Sequence, residues 1–169
     1  MGAAAAVVLC AGCGSGSGAT TSTVATTTAK AATAPPKLPG SKNETAAQHR
    51  MAAIIQLWAR RLNKGDYDGI AKLFSVPAIF IQGPYEYRLV NLKQVALWNS
   101  GLPCSGKIVA VIFRGSSATA IFKLGTRPSI KCDAPGTYAA ARFKFVNGKI
   151  VEWAQVTVPA GKVPKSNTA

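Results

Sequence analysis

The chain has 169 residues, 48% of them hydrophobic, and carries twenty Lys and Arg against six Asp and Glu for a net charge of +14. That length allows one domain with a sizeable core plus additional segments, and the hydrophobic share is ordinary for a globular chain. The cations are scattered from Lys30 to Lys165 with no Arg-rich run, zinc-finger spacing or RNA-recognition signature, so they read as a solvated basic surface and no nucleic-acid partner is expected.

Ala3–Ala11 is an apolar run of about nine residues, short of the ~20 that a permanent membrane span needs. It leads into Leu9-Cys10-Ala11-Gly12-Cys13. Small residues ahead of a cysteine, directly after an apolar run, resemble a bacterial lipobox with Cys13 as the acylated residue. Two features depart from that pattern: Cys10 stands where Leu or Val is usual, and no Lys or Arg precedes the apolar run. An ordinary secretory signal cleaved near the same place is the other reading. The expectation is an exported protein held at the bacterial cell membrane through Cys13, with secretion as the alternative.

Residues 14–40 are almost entirely Gly, Ser, Thr, Ala and Pro, with only Lys30 and Lys37 charged. Such a stretch lacks the large apolar groups that offset chain entropy, and reads as a disordered tether. The folded domain is expected over 41–159, followed by a disordered tail over 160–169. Cys10 and Cys13 belong to the leader, which leaves Cys104 and Cys132 as an even pair in the folded part. In an exported domain such a pair reads as a disulfide.

Ser41-Lys42-Asn43-Glu44 has the form of a capping box opening a first helix, whose spacing puts Ala47, Met51, Ile54, Ile55, Trp58 and Leu62 on one face. Gly65 ends it, and Asp66 caps a short second helix over Tyr67–Phe74 that Pro77 closes. Ala78–Gln82 reads as a strand, Gly83-Pro84 as a turn, and Tyr85–Leu89 as a second strand. Asn91 caps a third helix running to Asn99.

After Cys104 the chain reads as strand throughout. Lys107–Phe113 and Ala118–Leu124 flank a turn at Arg114–Ser117. Strict alternation puts Val109, Val111, Phe113, Ala120 and Phe122 on one face, and Ile108, Ala110, Ile112 and Ile121 on the other. A sheet apolar on both sides asks for cover on both. Asn147-Gly148 is the preferred two-residue hairpin turn, so strict pairing sets Phe145 opposite Ile150, Phe143 opposite Glu152 and Ala141 opposite Ala154. The inner face of this hairpin would carry Phe143, Phe145, Ile150, Ala154 and Val156 with Glu152 among them. Arg142, Lys144, Trp153, Gln155 and Tyr138 would face out.

The resulting order of a long helix, a short helix, a strand pair, a short helix and four long strands is an α+β layout with helices against one face of a curved sheet. The segment Leu62–Phe74 with Pro77-Ala78-Ile79-Phe80 resembles the first two helices of the nuclear transport factor 2-like superfamily, which includes SnoaL-like and ketosteroid isomerase-like proteins. Asn147–Trp153 is similar to the closing hairpin of that superfamily. The resemblance implies a cone-shaped curved antiparallel sheet with three helices on its concave side and a pocket between them. Members isomerise steroids, close polyketide rings, bind small apolar molecules or mediate protein contacts, so the site has to decide the activity.

The candidate pocket residues are Trp58, Leu62, Phe74, Phe80, Tyr85, Trp98, Phe122, Phe143 and Glu152; each aromatic reads first as core packing, and Glu152 reads first as a structural acid, hydrogen-bonded to Tyr85 or paired with a basic residue. A carboxylate on an apolar face is a candidate proton-transfer group, and Tyr85 is its one credible helper. No metal is expected, since the single His49 comes with no ligand spacing, and no cofactor, since no phosphate loop follows a strand. The leading expectation is a non-catalytic domain that binds a small apolar molecule or an envelope protein. One alternative is an isomerase or cyclase of a steroid- or polyketide-like substrate, with Glu152 as base and Tyr85 as oxyanion donor. Another is an interaction module that forms a homodimer through a convex face made by Ile108, Ile112, Ile121 and Trp153.

Overall fold

A computed structural model of the chain describes residues 44–128 and 130–162. The leader with Cys13, the tether, Ser41 and most of the tail lie outside the described residues. Helix α1 (Ala46–Lys64) is capped by Thr45, four residues after the expected Ser41. Thr45 Oγ1 accepts from the Gln48 N–H at 3.3 Å, and Gln48 Oε1 accepts from the Thr45 N–H at 2.7 Å. This is the same reciprocal motif, built by Thr45 and Gln48. The helical spacing buries Met51, Ile55, Trp58 and Leu62, and Gly65 stops the helix at φ 72°, where glycine is the residue without a steric penalty.

Helix α2 (Tyr67–Ala71) opens on the Asp66 carboxylate, which accepts from the Gly69 N–H at 2.9 Å. It ends earlier than expected. Phe74 already starts strand β1 (Phe74–Gln82), because its backbone pairs with Ile150 in the last strand of the sheet. The irregular stretch that follows holds a cis Val76–Pro77 bond. Strand β2 (Tyr85–Leu89), helix α3 (Leu92–Ser100, capped by Asn91), and strands β3 (Ser105–Arg114), β4 (Ser117–Gly125), β5 (Tyr138–Val146) and β6 (Lys149–Val156) complete the order.

The six strands form one sheet in the order β2-β1-β6-β5-β4-β3. The expectation of a purely antiparallel sheet is corrected at one place: β1 runs parallel to β6, while every other pair is antiparallel. The chain crosses from β1 to β6 only after building the rest of the sheet, so no hairpin constrains that pair to alternate.

Two bulges shape the sheet, and both overturn strict alternation. In β3, Ile108 pairs with Phe122 and Ala110 with Ile121, which leaves Val109 as the extra residue. In β6, Ile150 pairs with Phe145 and Glu152 with Lys144, which leaves Val151. Past each bulge the side chains change faces, because the period along a strand is two. Ile108 therefore joins the concave side with Phe122, and Trp153 comes opposite Phe143 on that same side. Glu152 moves to the convex side beside Lys144. Each bulge also increases local twist, which curves the sheet around α1.

The concave side holds the core. Phe80, Phe143, Ile55, Ile70, Ile150 and Val95 are fully buried between the sheet and the helices. Of the four residues expected on the convex face, Ile108 and Trp153 face the core, Ile121 is convex but fully buried, and Ile112 is convex and half-buried opposite Thr119. No helix among the described residues is long and apolar enough to cross a membrane.

Candidate functional site

At the open end of the concave face lies a cavity of about 260 Å³. Trp58 and Leu62 come to it from α1, Phe122 and Leu124 from β4, Ala139 and Ala141 from β5, and Trp153 from β6. The volume exists partly because β5 offers only alanines there, opposite Phe122 and Gln155. Gly106 adds to it on β3: a Cβ at this position would stand 2.9 Å from Phe122 Cβ, so only glycine lets the two strands approach as they do.

The walls are fixed by buried polar contacts. The Trp58 indole Nε1–H donates to Asn99 Oδ1 at 2.9 Å, and Asn99 Nδ2 donates to the Val95 carbonyl at 2.8 Å, so α3 sets the plane of the Trp58 ring. That ring meets Phe122 and Phe143 at centroid distances of 5.8 and 5.3 Å. Trp153 is wedged between Phe80 (6.3 Å) and Trp98 (4.6 Å, edge-on). Its own indole N–H is buried with no acceptor among the described residues, so packing alone holds it.

Arg127 is 3% exposed and has no carboxylate partner among the described residues. Its guanidinium instead donates to the Ser100 carbonyl (3.1 Å), the Leu102 carbonyl and the Tyr67 hydroxyl (3.1 Å), and lies 5.7 Å above the Tyr67 ring. The end of α3 presents the negative end of the helix dipole, which suits a buried cation. Arg127 thereby clamps the Leu102–Cys104 stretch that forms one cavity wall. Arg127→Met is expected to cost about 2–3 kcal/mol, since it strands buried carbonyls without a donor. Urea unfolding checks this, and Arg127→Lys is not expected to rescue it, because an ammonium cannot reach several fixed directions at once.

The same wall carries the Cys104–Cys132 disulfide, which joins residues 28 apart in sequence as expected. Asp133 Oδ1 lies 3.1 Å from Cys104 Sγ. A disulfide sulfur has no proton to donate, so this is a close S···O contact. Cys104, Cys132 and Asp133 together resemble a three-donor metal cluster, but both sulfurs are spent in the disulfide.

Of the residues expected at the pocket, Trp58, Leu62 and Phe122 line the cavity. Phe74, Phe80 and Phe143 are buried in the core behind it, and Trp98 packs against Phe80 and Trp153. Tyr85 is 64% exposed on the edge strand and outside the cavity wall. Glu152 faces away: its Oε1 accepts from Arg142 at 2.8 and 3.3 Å on the convex side. The alternative that brings Glu152 and Tyr85 to one point is corrected by the Val151 bulge, which turns the carboxylate to the other face, while the pairing of Glu152 with a basic residue is found with Arg142.

Sequence reasoning missed Trp153, Gln82 and Gln155. Gln82 stands two residues after Phe80 on β1, and Gln155 two after Trp153 on β6, so alternation from an inward aromatic finds both once the register is right. Ile81 pairs with Ala154 across these parallel strands, and the next position on each is Gln82 and Gln155. Both residues line the cavity, Gln82 half-buried and Gln155 exposed.

No protein-family model and no curated protein matches the sequence significantly. Solved structures do match. A nuclear transport factor 2-like protein of unknown function from Cytophaga hutchinsonii is similar at 9% identity and TM-score 0.52, over 70% of this chain and 96% of that one. A putative polyketide cyclase from Sinorhizobium meliloti is similar at 12% identity and TM-score 0.52, over 63% and 98%. A putative ketosteroid isomerase from Kribbella flavida is similar at 13% identity and TM-score 0.51, over 67% and 84%. At such identities the likeness establishes the fold alone: six curved strands with few helices, the nuclear transport factor 2-like arrangement.

Proposed function

We propose that this nuclear transport factor 2-like domain binds a small apolar molecule in the cavity at the open end of its concave sheet. The observation that carries the reading is the cavity itself: about 260 Å³, walled by Trp58, Leu62, Phe122, Leu124 and Trp153. Concave apolar sites with a few polar groups are the general form of small-molecule pockets. A space of this size suits a one- or two-ring molecule. The isomerase or cyclase alternative has a fold in common with the putative enzymes above, but its assigned base Glu152 lies on the opposite face of the sheet. Native mass spectrometry of the gently purified protein is expected to show a one-to-one small-molecule adduct, lost when Ala139→Trp fills the cavity. A bare protein that also fails to take up added tetralin would overturn the reading.

We further propose that the domain works outside the cytoplasm, held to the membrane through Cys13. The Leu9–Cys13 pattern and the Gly/Ser/Thr-rich stretch after it support this, and the Cys104–Cys132 disulfide is compatible with an oxidising compartment. Cys13→Ala is expected to move the full chain from the membrane fraction to the soluble one. An unchanged distribution would refute the anchor.

A further inference from the structure

We infer that two copies of this chain associate edge to edge through strand β2, antiparallel about a two-fold axis at Tyr87, so that their sheets join into one. This surface is separate from the cavity and from the convex face. Strand β2 ends the sheet and pairs only with β1 among the described residues, so it offers a row of backbone N–H and C=O groups to a further strand. The opposite edge is blunted: the Val109 bulge interrupts β3, whereas the β2 ladder runs unbroken from Tyr85 to Leu89. Four of the six exposed large apolar side chains among the described residues, Tyr85, Tyr87, Val90 and Leu92, lie on β2 or directly after it. Charges on an edge strand usually guard it against pairing, but Glu86 and Arg88 are opposite in sign and two positions apart. Standing opposite Ile81 and Ile79, both lie on the convex side of the sheet with Glu152. A second copy centred on Tyr87 sets Glu86 of each chain opposite Arg88 of the other. On the concave side the same register sets Tyr87 opposite Tyr87 and Tyr85 opposite Leu89. Centring on Glu86 or on Arg88 would instead bring like charges face to face, which leaves the Tyr87 register as the matched one.

A five-residue strand pair is a small interface, so the dimer is expected to form and dissociate with protein concentration. Sedimentation velocity tests this on the full chain carrying Cys10→Ala/Cys13→Ala, which removes the proposed acylation site and the two cysteines able to cross-link copies. A concentration-dependent monomer–dimer equilibrium is expected. Glu86→Arg and Arg88→Glu, each made alone, turn both cross-strand attractions into repulsions, and either is expected to weaken dimerisation about thirtyfold. The two reversals change the net charge in opposite directions, so a loss in both reports the local pairing and not the overall repulsion. Mixing the two variants restores opposite charges across the axis and is expected to give a heterodimer of the original affinity. Melting curves confirm that each variant is folded. A chain that stays monomeric at every concentration overturns the inference. So does a dimer that neither reversal weakens, or one that mixing fails to restore, since either result places the contact on another surface.

Discussion

Trp153→Ala is expected to destabilise the domain by about 4 kcal/mol, whereas Glu152→Gln, one residue away, is expected to cost less than about 1 kcal/mol. The contrast follows from the Val151 bulge. Trp153 is 5% exposed and touches Phe80 and Trp98, so its removal loses transfer energy and leaves a hole that rigid neighbours cannot close. It also forfeits an edge-on contact with Trp98 and a stacked one with Phe80, worth about 0.5–1.5 kcal/mol each. Glu152 makes one ion pair, with Arg142, whose side chain is 45% exposed, and solvent screening leaves such pairs little net worth. Strict alternation without the bulge would exchange the two residues and reverse the ranking. Urea unfolding of both variants reads the register directly, and a large loss for Glu152→Gln with a small one for Trp153→Ala would show the bulge to be absent.

Cys104→Ala/Cys132→Ala is expected to lower stability by about 3.5 kcal/mol through loop-closure entropy alone, given a sequence separation of 28. At roughly 4 °C per kcal/mol for a domain of this size, the melting temperature falls by about 14 °C. Reduction of the unmodified protein should reproduce most of that shift. The double alanine variant is preferable to serine, because Cys132 is 2% exposed and a hydroxyl there would need a partner. A melting temperature within about 3 °C of the unmodified protein would show that the loop from Gly125 to Tyr138 is held by Arg127 and its own turns, and that the cross-link adds nothing.

Much of the scaffold was legible because the signals were local. The Asp66 and Asn91 caps, the Gly65 stop and the Asn147-Gly148 turn each act within a few residues, and each sits where the chain pattern put it. The apolar stripe of α1 was legible for the same reason: helical spacing alone brings Met51, Ile55, Trp58 and Leu62 to one side. The first cap moved from Ser41 to Thr45 because two Ser/Thr residues precede the same apolar run, each with a side chain three residues later able to answer it. The site was less legible. Three of the nine expected pocket residues line the cavity, while the rest are core, the exposed edge strand for Tyr85 or, for Glu152, the far face.

The amino-acid order by itself determined the elements, their approximate ends, the cysteine pair and the fold they build, since caps, turns and hydrophobic periods are properties of short segments. Only the tertiary structure decided which way the strands face. A bulge has no residue type of its own: Val109 and Val151 are ordinary strand residues, and their displacement turns Ile108, partly buried, and Trp153, buried, toward the core. That gain depends on residues far apart in the chain, and it moves the lone acid out of the cone and brings Trp153 and Gln155 in.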